Sequence, residues 1–222
     1  MGEERHTFLF ADLAGFTALT EAHGDRQAAD VAAEFSLAVR RLLSPHQAEE
    51  VKTIGDALMI RGGDPAAAIR LGLGIVQDVG RQHGFPAVRV GMNTGQALER
   101  DGDWFGSAVN IAARVSGVAS GGEVLLTETT KAAAGELEGV HLQERGRHAL
   151  KNIGEPVLLF AAVRQGERDA VGLPIDPVCR MAVDPDHSAG RLTHGGVESY
   201  FCSLECAGAF AADPAKYSNE AT

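Results

Sequence analysis

Phe8-Leu9-Phe10-Ala11-Asp12-Leu13-Ala14-Gly15-Phe16-Thr17 and Val51-Lys52-Thr53-Ile54-Gly55-Asp56-Ala57-Leu58-Met59-Ile60 follow one plan. In each, an apolar strand-like run delivers an aspartate to a strand end or a tight turn, so the carboxylate emerges from rigid backbone. Two such carboxylates suit hard cations such as Mg²⁺ or Mn²⁺, which bind through one or two carboxylates plus substrate phosphates. A pair of those cations can activate one oxygen and stabilise the leaving oxygen of an in-line displacement. Either aspartate alone is explained as well by a cap or a plain turn. Together, Asp12 and Asp56 make phosphoryl chemistry on a nucleotide the first hypothesis.

Working outward, residues 6–12 read as a buried strand. Residues 17–43 read as a helix with Val31, Phe35, Leu37, Val39 and Leu42 set among charges, ended by Ser44-Pro45. Strands are predicted over 49–54 and 57–61, joined by Gly55-Asp56, a pair that suits a type II′ turn with Asp56 at its tip. Asp64-Pro65 reads as the N-cap and first-turn proline of a helix running to about Gly84, with Ile69, Leu73 and Val76 on one face. A strand over 86–95, a helix over 106–116, a strand over 123–127, a short helix over 129–135 and strands over 140–143 and 157–163 complete the pattern. The order predicts an α+β fold, a mixed sheet with helices on one face.

The chain has 222 residues, 45% of them hydrophobic and 23% charged, which fits one globular domain with a small appendage. Its net charge of −10 excludes a general nucleic-acid or anionic-membrane surface, though a mononucleotide needs only a few placed cations. No apolar run approaches the roughly 20 residues that span a bilayer. The start, Met1-Gly2-Glu3-Glu4-Arg5-His6, lacks the layout of a secretion signal, so a cytoplasmic location is expected. All three cysteines, Cys179, Cys202 and Cys206, fall near the C-terminus, a pattern that favours metal or redox chemistry over a disulfide framework.

Asp101-Gly102-Asp103-Trp104-Phe105-Gly106-Ser107-Ala108-Val109-Asn110-Ile111-Ala112-Ala113-Arg114 adds the polar groups that a nucleotide needs. Asn110 and Arg114 lie four apart and share a helix face. An arginine fork can stabilise a pentavalent phosphorus, and an asparagine can position a ribose. Asp103 can accept from an exocyclic amine, and Lys52 can donate to a purine ring nitrogen. With Lys-x-x-Gly-Asp at 52–56, Gly-x-Asn-Thr-Gly at 91–95 and Leu150-Lys151-Asn152-Ile153, the ordered set resembles the class III nucleotide cyclases from about His6 to Val163.

The resemblance implies a ferredoxin-like sheet and a head-to-tail homodimer that turns ATP into cyclic AMP and pyrophosphate with two Mg²⁺ or Mn²⁺ ions per site. It makes Asp12, Asp56 and the Leu13 carbonyl the metal ligands. Lys52 and Asp103 would select adenine, Asn110 would orient the ribose, Arg114 would stabilise the transition state and Lys151 would hold the triphosphate. Metal ligands would come from one protomer, and the purine-selecting residues, Asn110 and Arg114 from the other. Two departures are visible. The segment between Gly95 and Asp103 is short, as in a subgroup with a truncated dimerisation arm, where Thr or Ser is more usual at position 103. Leu150-Lys151-Asn152 stands where Leu-Lys-Gly is common. A guanylate cyclase is disfavoured by Lys52 with Asp103, and a non-catalytic nucleotide- or metal-sensing dimerisation module by the complete set of metal and transition-state residues.

Arg164-Gln165-Gly166-Glu167-Arg168-Asp169-Ala170-Val171-Gly172 is charged and glycine-containing, as an interdomain linker is, and divides the chain into 1–164, a linker at 165–173 and a module at 174–222. In that module Cys202 and Cys206 are spaced so that both thiols can face one point, and Cys179 arrives from a proline-stiffened turn. Three thiolates favour Zn²⁺ or Cu⁺, with His194 as the first candidate for a fourth ligand and His187 the second. The alternative is a mini-core in which the cysteines are small hydrophobes. A module this short rarely supplies a sufficient core unaided, which favours metal. The stretch from Leu173 to Tyr217 resembles a YHS domain, similar to metal-binding TRASH modules.

Overall fold

A computed structural model describes residues 5–166 and 173–218. β1 (Arg5–Leu13) leads through Gly15 into α1 (Phe16–Leu43), and β2 (Ala48–Ile54) pairs with β3 (Ala57–Gly62) in a hairpin. Gly55 takes φ 63° in the connecting turn while Asp56 keeps a negative φ, as a type II′ turn requires. α2 (Pro65–Gly74) opens with the Asp64 carboxylate accepting from the Ala66 N–H at 2.9 Å, which satisfies one of the orphan donors of a first turn. Its regular turns stop earlier than the predicted Gly84. A π turn over Ile75–Val79 lets the chain close at Gly80, where a side chain would strike Val88 at 2.9 Å.

β4 (Val88–Gln96) then runs back beside β1. A short hairpin of β5 (Leu98–Arg100) and β6 (Asp103–Phe105) precedes α3 (Ser107–Val118), β7 (Val124–Thr127), α4 (Glu128–Ala134), β8 (Val140–His148) and β9 (Val157–Arg164). Seven strands pair in the order β2-β3-β1-β4-β7-β9-β8, with β4–β7 the parallel pair. Among the described residues no helix is long and apolar enough to cross a membrane.

The sheet is covered on both faces, which corrects the expectation of helices on one. Leu9, Ala11 and Leu13 of β1 pack with Leu19 and Phe35 of α1 and Ile69 of α2, whereas Phe8 and Phe10 pack with Ala108, Val109 and Ala112 of α3. The cause lies in Phe8-Leu9-Phe10-Ala11, a run that is apolar without alternation because the strand is buried on both sides. Each such fully buried Phe or Leu contributes about 1.5–3 kcal/mol.

Two features seat α3. Gly91 of β4 has no side chain because α3 backbone lies against it; a Cβ there would sit 1.9 Å from the Ser116 nitrogen. Asn93, two residues along, is buried and donates to the Ala108 carbonyl at 3.1 Å, while Thr127 and Thr129 hydroxyls donate to its Oδ1 at 2.7 and 2.8 Å. A buried amide so fully bonded fixes position without leaving an unsatisfied group.

Most of the expected linker, residues 167–172, lies outside the described residues. Beyond it, β10 (Gly190–His194) and β11 (Val197–Phe201) form a hairpin followed by α5 (Leu204–Ala212) and α6 (Pro214–Ser218). This tail docks on the larger sheet domain. Ala182 N–H donates to Phe85 O at 2.7 Å, Gly84 N–H donates to Ala182 O at 3.1 Å, and Met181 bridges to Pro86. Cys179, Met181, Phe201, Cys206 and Phe210 join the same hydrophobic cluster as Leu19 and Val79, so the tail extends the main core.

The seat of α3 is testable through its glycines. Gly91→Ala forces backbone apart and should cost about 3 kcal/mol, lowering Tm by roughly 6 °C or more. Gly117→Ala, in the same helix with nothing within 4 Å of the added carbon, should be neutral or stabilising. Equal melting temperatures for the two variants in a thermal scan would refute the close approach.

Candidate functional site

Asp12 stands near the end of β1 opposite Arg89 of β4. The Arg89 guanidinium donates to one Asp12 oxygen twice, from Nε at 2.8 Å and from Nη2 at 2.5 Å. Asp56, in the β2–β3 turn, brings the second carboxyl to the same place. Its pKa is pushed up to about 6, by burial first and then by the charge of Asp12 and a hydrogen bond with it. The two carboxyls therefore meet, with the Arg89 guanidinium beside Asp12 as the neutralising cation. Leu13 ends β1 with its side chain in the core. What it offers a ligand is backbone.

A second polar pair forms where β2 meets β6. Lys52 Nζ donates to Asp103 Oδ2 at 2.5 Å, and the Trp104 N–H donates to Asp103 Oδ1 at 2.8 Å. The Lys52 hydrogen bond, aided by the Trp104 amide, holds the Asp103 carboxyl below the usual carboxylate range. Trp104 anchors this strand, its ring 5.7 Å from Phe8 and 4.6 Å from His6, with the Arg61 guanidinium above it at 5.1 Å. One donor on β2 and one acceptor on the anchored β6 are thus held side by side.

Asn110 and Arg114 are exposed on α3, opposite the buried Ala108, Val109, Ala112 and Val115. Among the described residues no ion pair joins Arg114 to Asp12 or Asp56. Lys151 is exposed in the turn after Leu150, which packs with Val115 and Leu159. One chain therefore gathers the acid pair and the Lys52–Asp103 pair but leaves Asn110, Arg114 and Lys151 facing solvent.

The three thiols converge as the sequence suggests. Cys179 Sγ lies 3.3 Å from Cys202 Sγ, and Cys202 Sγ lies 3.8 Å from Cys206 Sγ. Hydrogen bonds from Cys179 and Cys202 push the Cys206 thiol down, while hydrogen bonds with Cys202 and Cys206, with burial, push Cys179 up. The histidine beside them is His23 of α1, with Nε2 at 3.4 Å from Cys202 Sγ and 3.6 Å from Cys206 Sγ. His194 is elsewhere, its ring against Phe210 at 6.2 Å, and His187 bonds Asp184 at 2.8 Å. The tail folds back onto α1, so the histidine brought beside the thiols is His23, and not the expected His194 or His187.

Four participants escaped the sequence reading. Arg89 looks like any strand charge, and Trp104 differs only in being the one tryptophan, set among polar residues. Asp176 is fully buried and accepts from the backbone N–H groups of Val178 at 2.8 Å, Cys179 at 3.4 Å and Cys202 at 2.9 Å, so one carboxylate places two cysteines. Its signal was Asp-Pro two residues before a cysteine turn. His23 carried no signal, being 179 residues from Cys202 in sequence.

Comparison with known proteins agrees with this geometry. The adenylate and guanylate cyclase catalytic domain matches residues 2–162, and the YHS domain matches residues 175–221. The chain is 37% identical over 174 residues to a pH-sensitive adenylate cyclase of Mycobacterium tuberculosis, covering 77% of this chain and 44% of that protein. It is 32% identical over 126 residues to an adenylate cyclase of Streptomyces griseus, covering 57% of this chain and 32% of that one. It thus spans less than half the length of these relatives. A solved structure of an adenylate cyclase from Trypanosoma brucei, analysed in its monomeric state, superposes with a TM-score of 0.63 at 25% identity, over 76% of this chain and 92% of that one. Because the first match takes in most of the chain and every residue of both polar pairs, this protein belongs to the family of adenylate and guanylate cyclase catalytic domains, with a YHS domain behind it.

Proposed function

We propose that the chain is a cytosolic adenylate cyclase, converting ATP to 3′,5′-cyclic AMP and pyrophosphate at a site shared by two copies of itself. Residues 1–164 form the catalytic domain, 165–173 the linker and 174–222 the YHS module. The observation that carries the choice of ATP is the Lys52–Asp103 pair at 2.5 Å. The edge of adenine presents a ring-nitrogen acceptor beside an amino donor, which a lysine and a carboxylate side by side match. Guanine presents the reverse and would leave both groups unpaired.

The acid pair fits divalent cations. Both carboxyls are hard oxygen donors, and the burial and the Asp12 charge that together raise Asp56 would be offset by a bound divalent ion. Mg²⁺ or Mn²⁺, two per site, supplies the Lewis acidity that makes the ATP 3′-hydroxyl a nucleophile and neutralises the triphosphate. Asp12, Asp56 and the Leu13 carbonyl hold that charge. Lys52 and Asp103 fix the purine, Asn110 orients the ribose, and Lys151 binds the triphosphate. The 3′-hydroxyl gives up its proton to water, its oxygen forms a bond to the α-phosphorus as the bond to pyrophosphate breaks, and Arg114 offsets the charge that develops. Arg89, which bonds Asp12 in the free chain, would be a further positive group beside the acid pair. The exposure of Asn110 and Arg114, with no ion pair to the acid pair in one chain, supports completion of the site by a partner. Exposed Leu98 and Phe105 on the β5–β6 hairpin supply apolar surface for that contact.

Purified protein with Mn²⁺ and ATP should release cyclic AMP, and with GTP little cyclic GMP. The double variant Lys52→Glu with Asp103→Cys should lose ATP kcat/KM by about 10⁴-fold, the scale at which a polar mismatch in a closed site discriminates. Unchanged ATP use would show that these residues do not read the purine.

Asp56→Ala and Arg114→Ala should each be inactive alone. Mixed in equal amounts they should regain activity, since a heterodimer retains one intact composite site of its two. Inactivity despite heterodimers verified by tag capture would refute the shared site.

A further inference from the structure

We infer that His23 of the catalytic domain completes a Cys₃His site for a zinc-class cation with Cys179, Cys202 and Cys206, and that a bound cation staples the tail to the first turns of α1. The four ligand atoms lie within 4.8 Å of one another. A tetrahedral cation with bonds of about 2.3 Å to sulfur and about 2.0 Å to nitrogen requires edges of about 3.8 Å between sulfurs and about 3.5 Å from sulfur to nitrogen. Four of the six edges are sulfur edges of 3.3 and 3.8 Å and sulfur–nitrogen edges of 3.4 and 3.6 Å, and the two from Cys179 to Cys206 and to His23 are within 4.8 Å. Thiolate and imidazole donors are the choice of a borderline-soft ion, not of Mg²⁺.

The ligands are held before any ion arrives. Cys179 and Cys206 are buried. The buried Asp176 carboxylate binds the backbone of Cys179 and Cys202, and the Ser203 hydroxyl accepts from the Cys206 N–H at 3.1 Å. Such outer partners fix ligand direction and raise affinity. His23 is the exception, arriving on a separate element.

That element gives the site a mechanical consequence. α1 is broken at Gly24, which takes φ 81° and ψ 165°, so Phe16–His23 is a two-turn segment with Gly15, at φ 91°, at its other end. Gly15 also meets the tail. A Cβ there would fall 2.5 Å from Arg180 Cγ, so the Arg180 stem lies on the Gly15 backbone. Arg180 follows Cys179 directly and takes φ 67°, unusual for a residue with a side chain. An ion that grips Cys179 and His23 therefore holds both ends of the segment, and one of those ends is the turn three residues after Asp12. Any effect of this staple on cyclic AMP formation rests on the reading above; the staple itself does not.

The test uses the full chain, reduced and stripped of metal, titrated with Co²⁺ and then Zn²⁺. Co²⁺ should give a thiolate-to-metal charge-transfer band and tetrahedral ligand-field bands at one ion per chain, both removed by Zn²⁺. His23→Ala should weaken Zn²⁺ by at least about tenfold, the lower bound for losing even an outer partner. His194→Ala should leave it unchanged, and Cys206→Ser should abolish the charge-transfer band. Circular dichroism of the metal-free variants controls for folding. Hydrogen exchange over 16–23 should slow by about 100-fold with Zn²⁺ at one hundred times its Kd, and should not slow in His23→Ala. Absence of the band, loss of binding in His194→Ala with retention in His23→Ala, a Cys179–Cys202 disulfide in place of bound metal, or unchanged exchange over 16–23 would each overturn the inference. Slowed exchange in a chain that forms no cyclic AMP would support the staple and refute the cyclase reading alone.

Discussion

The carboxyls of Asp12 and Asp56 bring like charge into a half-buried place, and the folded chain must answer that repulsion. It does so with the Arg89 fork on Asp12. That answer is not permanent, because an arginine near the start of a strand can turn to another anion. The rest of the catalytic domain is arranged so that the pair cannot relax by moving apart. Asp12 closes a strand that is buried on both faces, and Asp56 sits in a two-residue turn whose strand pairs directly with β1. Repulsion held in place by a rigid sheet is what the proposed cation would relieve.

α3 shows how one helix serves two masters. Its inner face is small and apolar, and Gly91 beneath it admits backbone-to-backbone contact, so the helix has almost no freedom to slide. Its outer face carries Asn110 and Arg114 into solvent. Two long polar side chains without partners gain nothing for the stability of a single chain. Their rigid presentation makes sense when another surface supplies the partner, and it allows the cost of ordering the helix to be met by folding before the substrate arrives.

What the sequence made legible were features whose physics is local. Gly55-Asp56 prescribes its own turn, Asp64-Pro65 its own cap, and both appear as read. The unbroken apolar run at Phe8–Ala11 also announced burial on both faces, although the reading of helices on one face did not follow it through. The β5–β6 hairpin was missed despite a local signal, since Asp101 and Gly102 both take positive φ, as a tight hairpin turn demands. The π turn at Ile75–Val79 depends on how closely Gly80 meets Val88, a distance no spacing rule contains. Arg89 and Asp12 face each other only because of strand register, and register is a property of the assembled sheet.

His23 marks the far end of that scale. The tail has too few apolar residues to close a core of its own, so Met181, Phe201 and Phe210 are buried in the core of the catalytic domain. Once the tail is committed to that surface, its thiols face whatever α1 presents there. The thiols do not share one environment: hydrogen bonds with Cys202 and Cys206, with burial, push Cys179 up, whereas hydrogen bonds from Cys179 and Cys202 push Cys206 down. On the inference above, a soft cation would be held by all three thiols and the His23 imidazole at once. The chain thus contains two clusters of donors, one hard and one soft, joined by the eight residues from Phe16 to His23.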